Sequence, residues 1–475
     1  MEGSMKTKII KDLAYGFIEI DENIEKVIDH RSFQRLKNIS QLTAHHLFPS
    51  ANHTRFEHSL GVMHLSMKFL NVLSEKIKEL GKGTELFIDR LHLQYASLLH
   101  DVGHGPMSHV GESFYDRKEI ISKIKLLLDS DDESCYSKGS LHELMSCYVI
   151  AKNFKETLNQ IFTDSTIGFD IQYIFRIITG SKYNSSDKWN QDLIIEILNS
   201  NSIDVDKIDY LIRDNLMTGG VAPNINIERL LYSITIDSMK KIAYSPVGIS
   251  SVVSIIDSRD FLYLWLYNHH IVVYTDFLYK TAINHLSSKD NDKSKNKILL
   301  SNYFSCEAIS ELYVTDDDIR VILNKEYSDT NSNYSKKILS QLLERKFLKP
   351  IWKTIFEFNT FMYNKAYFDD RQRKKILQLI QAEKLSDIAS DLIKECGLEP
   401  GDLFVIERSN KFYAMSDKTE FYINTEKEGD IELSQIMPER RFDENYSNVA
   451  FYVFTIPKKI DEAKQKLVQI LKRNI

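Results

Sequence analysis

The chain has 475 residues, of which 43% are hydrophobic and 27% charged, a composition typical of a folded, water-soluble protein. Its formal net charge of −6 argues against a protein that coats nucleic acid, but a local basic pocket for phosphates is compatible with it, so nucleic-acid binding stays open. No run of about 18 apolar residues occurs, so we expect no membrane span. The 4 cysteines lack metal-site spacing and favour a reduced, cytoplasmic protein.

Apolar periodicity predicts a mostly helical chain. Residues 5–21 alternate between apolar and polar side chains, which indicates a short strand or ribbon. A long helix is predicted to begin at Arg55, because apolar residues then recur every three or four positions. Further helices are predicted at 22–40, 85–101, 111–129, 141–152, 154–163, 170–179 and 250–286.

The second half of the chain differs in pattern. Residues 287–297 read SSKDNDKSKNK and predict a polar linker or loop. After Pro350, strand-like runs at 402–406, 411–414 and 449–454 precede a last helix at 459–473. We therefore predict a mainly α fold with a helical core at 5–286, the linker at 287–297, and a smaller C-terminal helical and α/β region at 298–475.

The segment from Leu98 to His109 predicts a metal centre. Adjacent helical residues point about 100° apart, so His100 and Asp101 reach one ion only near a helix end. Gly103 and Pro106 supply such an end, since glycine permits unusual backbone angles and proline stops a helix. Imidazole and carboxylate together suit a divalent ion such as Mn, Fe, Ni or Zn, and carboxylate-rich sites also admit Mg.

A complete site needs ligands from elsewhere in the chain. His58 begins the long helix and is the natural third ligand. Asp206 is the candidate for the fourth, but the acidic trio around it is equally compatible with helix capping. Asp204 fits the cap position, which leaves Asp206 and Asp209 to point elsewhere. Spacing alone does not decide between these two roles for Asp206.

Motifs spread over about residues 5–285 resemble the HD-domain metal-dependent phosphohydrolases. His58, His100-Asp101 and Asp206 match the H…HD…D signature of that family. Additional matches resemble its deoxynucleoside triphosphate (dNTP) triphosphohydrolase branch, which has human and bacterial members. These matches are Phe33 to Leu36, Gln41-Leu42, Phe48-Pro49, Arg55 to Val62, Gly103 to His109, and Ile203 to Asp214.

The resemblance implies an HD-domain helical core whose metal ligands are His58, His100, Asp101 and Asp206. It implies an enzyme that converts a dNTP and water into a deoxynucleoside and inorganic triphosphate. The implied catalytic residues are His104, His109, His142, Glu112 and Glu143. Among these, His109 would transfer a proton to the leaving oxygen or contact the α-phosphate. Glu112 stands where the family commonly has an aspartate that orients the catalytic histidine, and Glu143 would orient His142.

The resemblance also implies substrate contacts. Arg55 and Lys207 would bind phosphates, and Tyr210 would pack under the deoxyribose. Gln41 and Asp214 would contact sugar hydroxyls. A phosphate-binding arginine expected near 261–280 is absent, which leaves two alternatives: His269 or His270 replaces it, or the triphosphate is held differently.

Implied partners are the dNTP substrate, further copies of the chain in a dimer or tetramer, and a nucleotide activator, because Lys8, Asp29 and Gln34 align with activator contacts. Two alternatives stay open. The same metal site would serve an HD phosphohydrolase or phosphodiesterase acting on a nucleoside monophosphate, a cyclic nucleotide or a nucleic-acid end. A nucleotide-sensing assembly or defence module would use the site to signal to a partner.

Overall fold

The computed structural model describes residues 7–79, 89–165, 167–220, 222–289, 300–381, 385–408, 422–425, 429–436 and 450–475. The predicted fold class is confirmed, since a helical core is joined to a smaller C-terminal region with short sheets. The α-helices up to residue 289 are α1 (Glu22–Ile28), α2 (Arg31–Gln34), α3 (Arg55–Glu79), α4 (Arg90–Leu99), α5 (His109–Glu112), α6 (Arg117–Leu128), α7 (Leu141–Val149), α8 (Lys155–Asp164), α9 (Ile171–Thr179), α10 (Trp189–Leu198), α11 (Val205–Met217), α12 (Ile227–Tyr232), α13 (Ile249–Leu262) and α14 (His270–Lys289).

The helices that follow are α15 (Asp316–Asp329), α16 (Asn333–Leu343), α17 (Ile355–Met362), α18 (Asp370–Gln381), α19 (Leu385–Glu395), α20 (Leu433–Ile436) and α21 (Ile460–Arg473). The strands are β1 (Lys8–Asp12), β2 (Gly16–Ile20), β3 (Ile234–Ile236), β4 (Ile242–Tyr244), β5 (Lys349–Pro350), β6 (Leu403–Arg408), β7 (Tyr422–Thr425), β8 (Gly429–Glu432) and β9 (Ala450–Thr455). None of the helices in the described ranges is both long enough and apolar enough to cross a bilayer.

Helix α3 lies at the centre of the N-terminal core and packs against α4, α10 and α11. Its first half is buried on nearly every side, as expected for a helix enclosed by other helices. Gly61 lets α11 approach closely, because a Cβ atom there would lie 2.0 Å from Asp209 Oδ1 and 2.4 Å from Arg213 Nη2. This close approach brings the acidic start of α11 to the first turn of α3.

Local signals explain where several elements begin and end. The ribbon predicted at 5–21 is the antiparallel hairpin β1–β2, in which Lys8 pairs with Ile20. The helix predicted at 111–129 is instead divided into α5 and α6. The carboxylate of Asp116 caps α6 by accepting hydrogen bonds from the Lys118 and Glu119 amides, so the chain starts a new helix there.

The C-terminal region is tied to the core. Strands β5, β9 and β6 form an antiparallel sheet, against which α19 packs. Strand β7 pairs in parallel with β4 of the core through Tyr244 and Ile423. The sequence analysis did not predict β3 and β4, which are only three residues long. The predicted division at 287–297 stays a prediction, because 287–289 belong to α14, and 290–297, like 411–414, lies outside the described residues.

Candidate metal centre and active site

Helix ends deliver the four predicted metal ligands. His58 lies in the first turn of α3, and His100 and Asp101 follow the end of α4. Asp206 lies in the first turn of α11. Asp204 caps that helix by accepting from the Lys207 amide at 2.8 Å, as expected from the sequence, so Asp206 is not the capping residue.

The other three side chains all approach the Nε2 atom of His58. The Nε2 atom of His58 lies 3.0 Å from Asp206 Oδ1, 3.3 Å from His100 Nε2 and 3.5 Å from Asp101 Oδ2. Ligand bonds of about 2.0 to 2.2 Å to a divalent ion place neighbouring ligand atoms at about these separations. The donor set therefore fits a divalent cation, and we call His58, His100, Asp101 and Asp206 the metal cluster.

The outer nitrogen of each ligating imidazole has a fixed partner. His58 Nδ1 lies 2.7 Å from Asp209 Oδ2, and His100 Nδ1 lies 2.8 Å from the Ser97 carbonyl oxygen. An N–H donated outwards leaves the Nε2 lone pair directed at the ion. Asp209 is held in turn by Arg213, whose Nε lies 2.9 Å away. The sequence analysis placed Asp209 outside the helix cap but did not assign it this orienting role.

Asp101 is maintained as a carboxylate by its neighbours. Although burial raises its pKa, the opposing effects of Arg55, His100 and His104 hold the pKa of Asp101 well below its usual value. Arg55 Nη1 donates to Asp101 Oδ2 at 2.6 Å, and Arg55 Nη2 contacts the Ser108 hydroxyl. Arg55 thus connects the metal cluster to the loop after α4.

A second group of side chains, His104, His109 and His142, lies beside the metal cluster, and we call it the histidine cluster. Its ligand-type nitrogens lie within 4.8 Å of one another, and the ring of His104 stacks on that of His142 with centroids 4.3 Å apart. Glu112 lies 3.0 Å from His109 Nδ1 and 3.1 Å from His142 Nδ1. The longer side chain of Glu112 therefore reaches both histidines, consistent with the orienting role expected of it.

Glu143 requires a correction. We expected it to orient His142, but Glu143 Oε2 accepts from the Ser140 amide at 2.6 Å in a capping box, and Oε1 accepts from Asn199 Nδ2 at 2.8 Å. Among the described residues, the carboxylate bonded to His142 is that of Glu112. Glu143 therefore fixes the start of α7 and thereby the position of the neighbouring His142.

A cavity of about 590 Å³ opens onto both clusters, and this volume is in the usual range for small-molecule sites. Four predicted substrate residues, Gln41, Arg55, Tyr210 and Asp214, line it. Asp214 accepts from Tyr267 Oη at 2.6 Å and contacts His53 Nε2 at 2.7 Å. The remaining lining residues are Leu42, Thr43, Ala44, Asp101, Met107, Ser108, His109, Val110, Glu112, His142, Asp206, Tyr263, Leu266, Tyr267, Asn268, Val272, Asp276 and Lys280.

Two predicted phosphate contacts do not line the cavity. Lys207 Nζ donates to the Ser200 carbonyl oxygen at 2.7 Å and pairs with Asp204, the residue that caps its own helix. His269 uses Nδ1 to accept from the Ile271 amide at 3.2 Å at the start of α14. Local capping interactions hold both side chains away from the position expected of them.

Several cavity residues were missed by the sequence analysis. The segment from Tyr263 to Tyr267 forms a π-helical turn that places Tyr263, Tyr267 and Asn268 on the wall. Arg259 lies one turn earlier, with its guanidinium carbon 5.4 Å from the centre of the Tyr263 ring. It stands just before the segment in which we expected an arginine. On α14, Val272, Asp276 and Lys280 recur every four residues, a spacing that could have revealed a shared face.

Comparisons with known proteins agree with this geometry. The HD-domain family model matches residues 55–213, which contain the whole metal cluster. The chain is 31% identical to a deoxynucleoside triphosphate triphosphohydrolase SAMHD1 homologue of Dictyostelium discoideum over 58% of this chain and 49% of that protein. It is 29% identical to the Bos taurus SAMHD1 triphosphohydrolase over 86% of this chain and 68% of that protein. The chain thus spans about half of the length of the first of these relatives.

A longer match has no known activity attached to it. An uncharacterised protein of Methanocaldococcus jannaschii is 26% identical over 98% of this chain and 87% of that protein. The crystal structure of a hypothetical protein from Aquifex aeolicus aligns with a TM-score of 0.63 over 97% of this chain and 100% of that chain, at 21% identity, and so supports the fold.

The chain carries an HD domain over residues 55–213, and its metal cluster has side chains that could hold a divalent cation. In sequence the chain is similar to dNTP triphosphohydrolases of the Dictyostelium and bovine kind.

Proposed function

We propose that this protein is a metal-dependent dNTP triphosphohydrolase, which converts a dNTP and water into a deoxynucleoside and inorganic triphosphate. The observation that carries the proposal is the single cavity that joins the metal cluster, the histidine cluster and an aromatic sugar-sized pocket. The names of the Dictyostelium and bovine relatives support it, because both are triphosphohydrolases of deoxynucleoside triphosphates.

The metal cluster defines the reacting end of the cavity. A divalent cation held by His58, His100, Asp101 and Asp206 would polarise a phosphoryl oxygen and lower the pKa of a nearby water. In the proposed reaction the water oxygen bonds to the α-phosphorus, and the bond from that phosphorus to the sugar 5′-oxygen breaks. The triphosphate leaves with its phosphorus–oxygen chain intact.

The leaving 5′-oxygen needs a proton, and in this proposal His109 gives it. The side chain of His109 is 65% exposed, and this exposed surface lines the cavity beside Arg55. Its Nδ1 atom is bonded to Glu112, and its Nε2 atom lies 3.4 Å from Arg55 Nη2, so in the proposed complex Nε2 would exchange this contact for one to the substrate. Arg55 and Arg259 would offset triphosphate charge, since guanidinium groups bind phosphate oxygens in pairs.

The middle of the cavity suits a deoxyribose. The rings of Tyr210 and Tyr267 lie at 74° to each other with centroids 6.4 Å apart, and Asp214 lies beside them as an acceptor for a sugar hydroxyl. Ring packing against the sugar carbon that lacks a hydroxyl would disfavour a ribonucleotide, because a buried 2′-hydroxyl there would be left without a partner.

Product analysis tests this proposal. The purified protein is incubated with Mn²⁺ or Mg²⁺ and with each dNTP, ribonucleoside triphosphate, nucleoside monophosphate and cyclic nucleotide, and the products are separated by anion exchange. We expect deoxynucleoside and intact triphosphate from dNTPs. Stepwise release of monophosphate, or turnover of a cyclic nucleotide or monophosphate alone, would overturn it in favour of one of the other phosphohydrolase activities.

Assembly into a dimer or tetramer and activation by a nucleotide are part of the same proposal. Gln34, one of the predicted activator contacts, is bonded within the chain in this structure. Its Nε2 atom donates to the Ile28 carbonyl oxygen at 2.8 Å, and its Oε1 atom accepts from Lys37 Nζ at 2.7 Å. Mass photometry with and without GTP or dGTP measures the assembly directly. An unchanged mass distribution together with an unchanged rate would contradict activation by assembly.

A further inference from the structure

One wall of the cavity carries charged groups that triphosphate hydrolysis does not use. Helix α14 forms this wall, and Val272, Asp276 and Lys280 all face the cavity from it. Steps of four residues advance about 6 Å along a helix, so these three side chains extend the wall by about 12 Å. The base of a nucleotide whose phosphates lie at the metal cluster and whose sugar lies at Tyr210 would reach this wall.

The Asp276 carboxylate has capacity to bind a ligand. Its Oδ1 atom accepts a hydrogen bond from the Thr43 hydroxyl, which fixes the carboxylate against the loop that follows Gln41. A carboxylate offers about four acceptor positions, so one hydroxyl leaves most of them available. Burial raises the pKa of Asp276 to about 6, while Thr43 and Lys280 oppose that rise, so the group is mainly ionised at neutral pH.

The rest of this pocket supplies donors and apolar walls. Lys280 places an ammonium group one helical turn beyond Asp276. Asn268 is 2% exposed, and its Nδ2 atom has no hydrogen-bond partner among the described residues, although the side chain lines the cavity. An unpaired buried donor is costly, so a ligand acceptor that satisfies it stabilises the complex. Leu42, Ala44 and Val272 provide the flat apolar contacts that a base ring needs.

Hydrogen-bond chemistry selects among the four bases. Guanine presents two adjacent donors, N1–H and the 2-amino group, next to the O6 acceptor, whereas adenine, cytosine and thymine each present a single donor on that edge. A carboxylate accepts two parallel N–H bonds especially well. Resting on the proposed function, we infer that Asp276 accepts from N1–H and the 2-amino group of guanine while Lys280 donates to O6, so that this protein prefers dGTP.

The first test compares substrates on the wild-type protein and needs no variant. We expect kcat/KM for dGTP to exceed that for dATP, dCTP and dTTP by at least about 100-fold, because a site built to hydrogen-bond a group rejects substrates that lack it. Deoxyinosine triphosphate lacks only the 2-amino group and should lose about 10- to 100-fold. Equal values of kcat/KM for the four dNTPs, or for dGTP and deoxyinosine triphosphate, would overturn the inference and leave the proposed function standing.

The second test exchanges the recognition partner. In Asp276→Asn, an N–H donor replaces one of the two carboxylate oxygens. The variant can therefore donate to a carbonyl at position 2 of the base but can no longer accept from a 2-amino group as well as from N1–H. We expect this variant to lose about 10- to 100-fold on dGTP and to gain on deoxyxanthosine triphosphate, which has a carbonyl in place of the 2-amino group. If Asp276→Asn instead lowers kcat/KM for both dGTP and deoxyxanthosine triphosphate, the inference is overturned. Lys280→Met should reduce the preference for dGTP without creating a gain on deoxyxanthosine triphosphate.

Matched controls and a binding assay complete the design. Asp387→Asn on α19 and Lys374→Met on α18 make the same changes on exposed surfaces and should retain wild-type selectivity. If no dNTP yields triphosphate, the proposed function fails, and calorimetry with 2′-deoxyguanosine and 2′-deoxyinosine then tests the pocket alone. Selective binding of deoxyguanosine that Asp276→Asn abolishes supports the inference, and no difference between the two nucleosides overturns it.

Discussion

The metal cluster and the histidine cluster lie side by side, share the segment from His100 to His109, and are built in opposite ways. In the metal cluster, His58 and His100 each have an outer nitrogen bonded to a fixed acceptor, and their inner nitrogens converge. In the histidine cluster, His104 Nε2 lies 3.3 Å from Asp101 Oδ1 while its Nδ1 has no hydrogen-bond partner among the described residues, and one carboxylate, Glu112, serves both His109 and His142.

This difference suits the metal cluster to binding an ion and the histidine cluster to transferring protons and contacting phosphates. Fixed outer partners hold an imidazole in one tautomer and make it a better ligand. A histidine that lines a cavity, with one nitrogen bonded to a carboxylate, can exchange a proton at the other nitrogen. We therefore expect changes in the metal cluster to remove the metal and changes in the histidine cluster to slow the reaction while the metal is retained.

The largest effect is expected for His100→Ala compared with His104→Ala. The metal supplies several kcal/mol of charge stabilisation, so losing about 4 kcal/mol would lower kcat/KM about 1,000-fold. His100→Ala should lose both metal and activity, as measured by elemental analysis of the purified protein and by product release. His104→Ala should keep the metal. Equal metal content in the two variants would contradict the division into two clusters.

The next effect is expected for His109→Ala. Loss of a proton donor typically costs about 100- to 10,000-fold in rate, so kcat should fall within that range while metal content stays at the wild-type level. His285→Ala is the matched control, because His285 contacts Ser335 near the end of α14, away from both clusters. A metal-depleted His109→Ala protein would show that His109 is a ligand instead.

A smaller effect is expected for Asp209→Asn, which weakens the outer partner of His58. Removal of such a partner typically lowers metal affinity about 10- to 100-fold, and competition with a chelator measures this directly. Asp12→Asn is the control, because Asp12 also pairs with Arg213 but does not contact His58. Equal loss of metal affinity in both variants would mean that the effect arises from the shared contact with Arg213 and not from the contact between Asp209 and the His58 imidazole.

The full set of metal ligands was predicted from the resemblance of His58, His100-Asp101 and Asp206 to the H…HD…D signature, whereas short-range signals predicted only the helix ends at which these residues lie. Asp204 is an example of such a signal, since it directly precedes α11 and its capping bond to the Lys207 amide could be anticipated from the sequence. The mainly α fold followed from periodicity in the same way. The chemical roles of His58, His100, Asp101 and Asp206 remain predictions that the variants above test.

Long-range packing and competing local bonds explain what was missed. Asp209 orients His58 across 151 residues of sequence, and nothing in either segment indicates that contact. Lys207 and Glu143 resemble functional residues in sequence, but nearby caps engage their side chains. Such caps form within one helical turn and satisfy groups that would otherwise bind substrate. The wall of α14 was missed because its polar residues lie among apolar ones.

The smallest effect, and the one that depends on the C-terminal region, is expected for Asp316→Ala. Met107 and Ser108 have φ angles of 60° and 52°, a costly left-handed conformation for residues with side chains. Asp316 holds this turn by accepting from the Met107 amide at 2.7 Å, and it also accepts from the Ser40 amide at 3.1 Å. Releasing the turn should shift the adjacent His109 and lower kcat about tenfold, because catalytic geometry tolerates little displacement.

The metal cluster should not respond to this change, because none of its four ligands lies in the turn. Asp316→Ala should therefore keep wild-type metal content while it lowers kcat and destabilises the fold by about 1 to 3 kcal/mol, as measured by denaturant unfolding. Asp317→Ala is the matched control, since Asp317 is exposed and pairs only with Arg320 among the described residues. An unchanged kcat would show that the turn positions nothing, and a loss of metal would show that the two clusters depend on a common support.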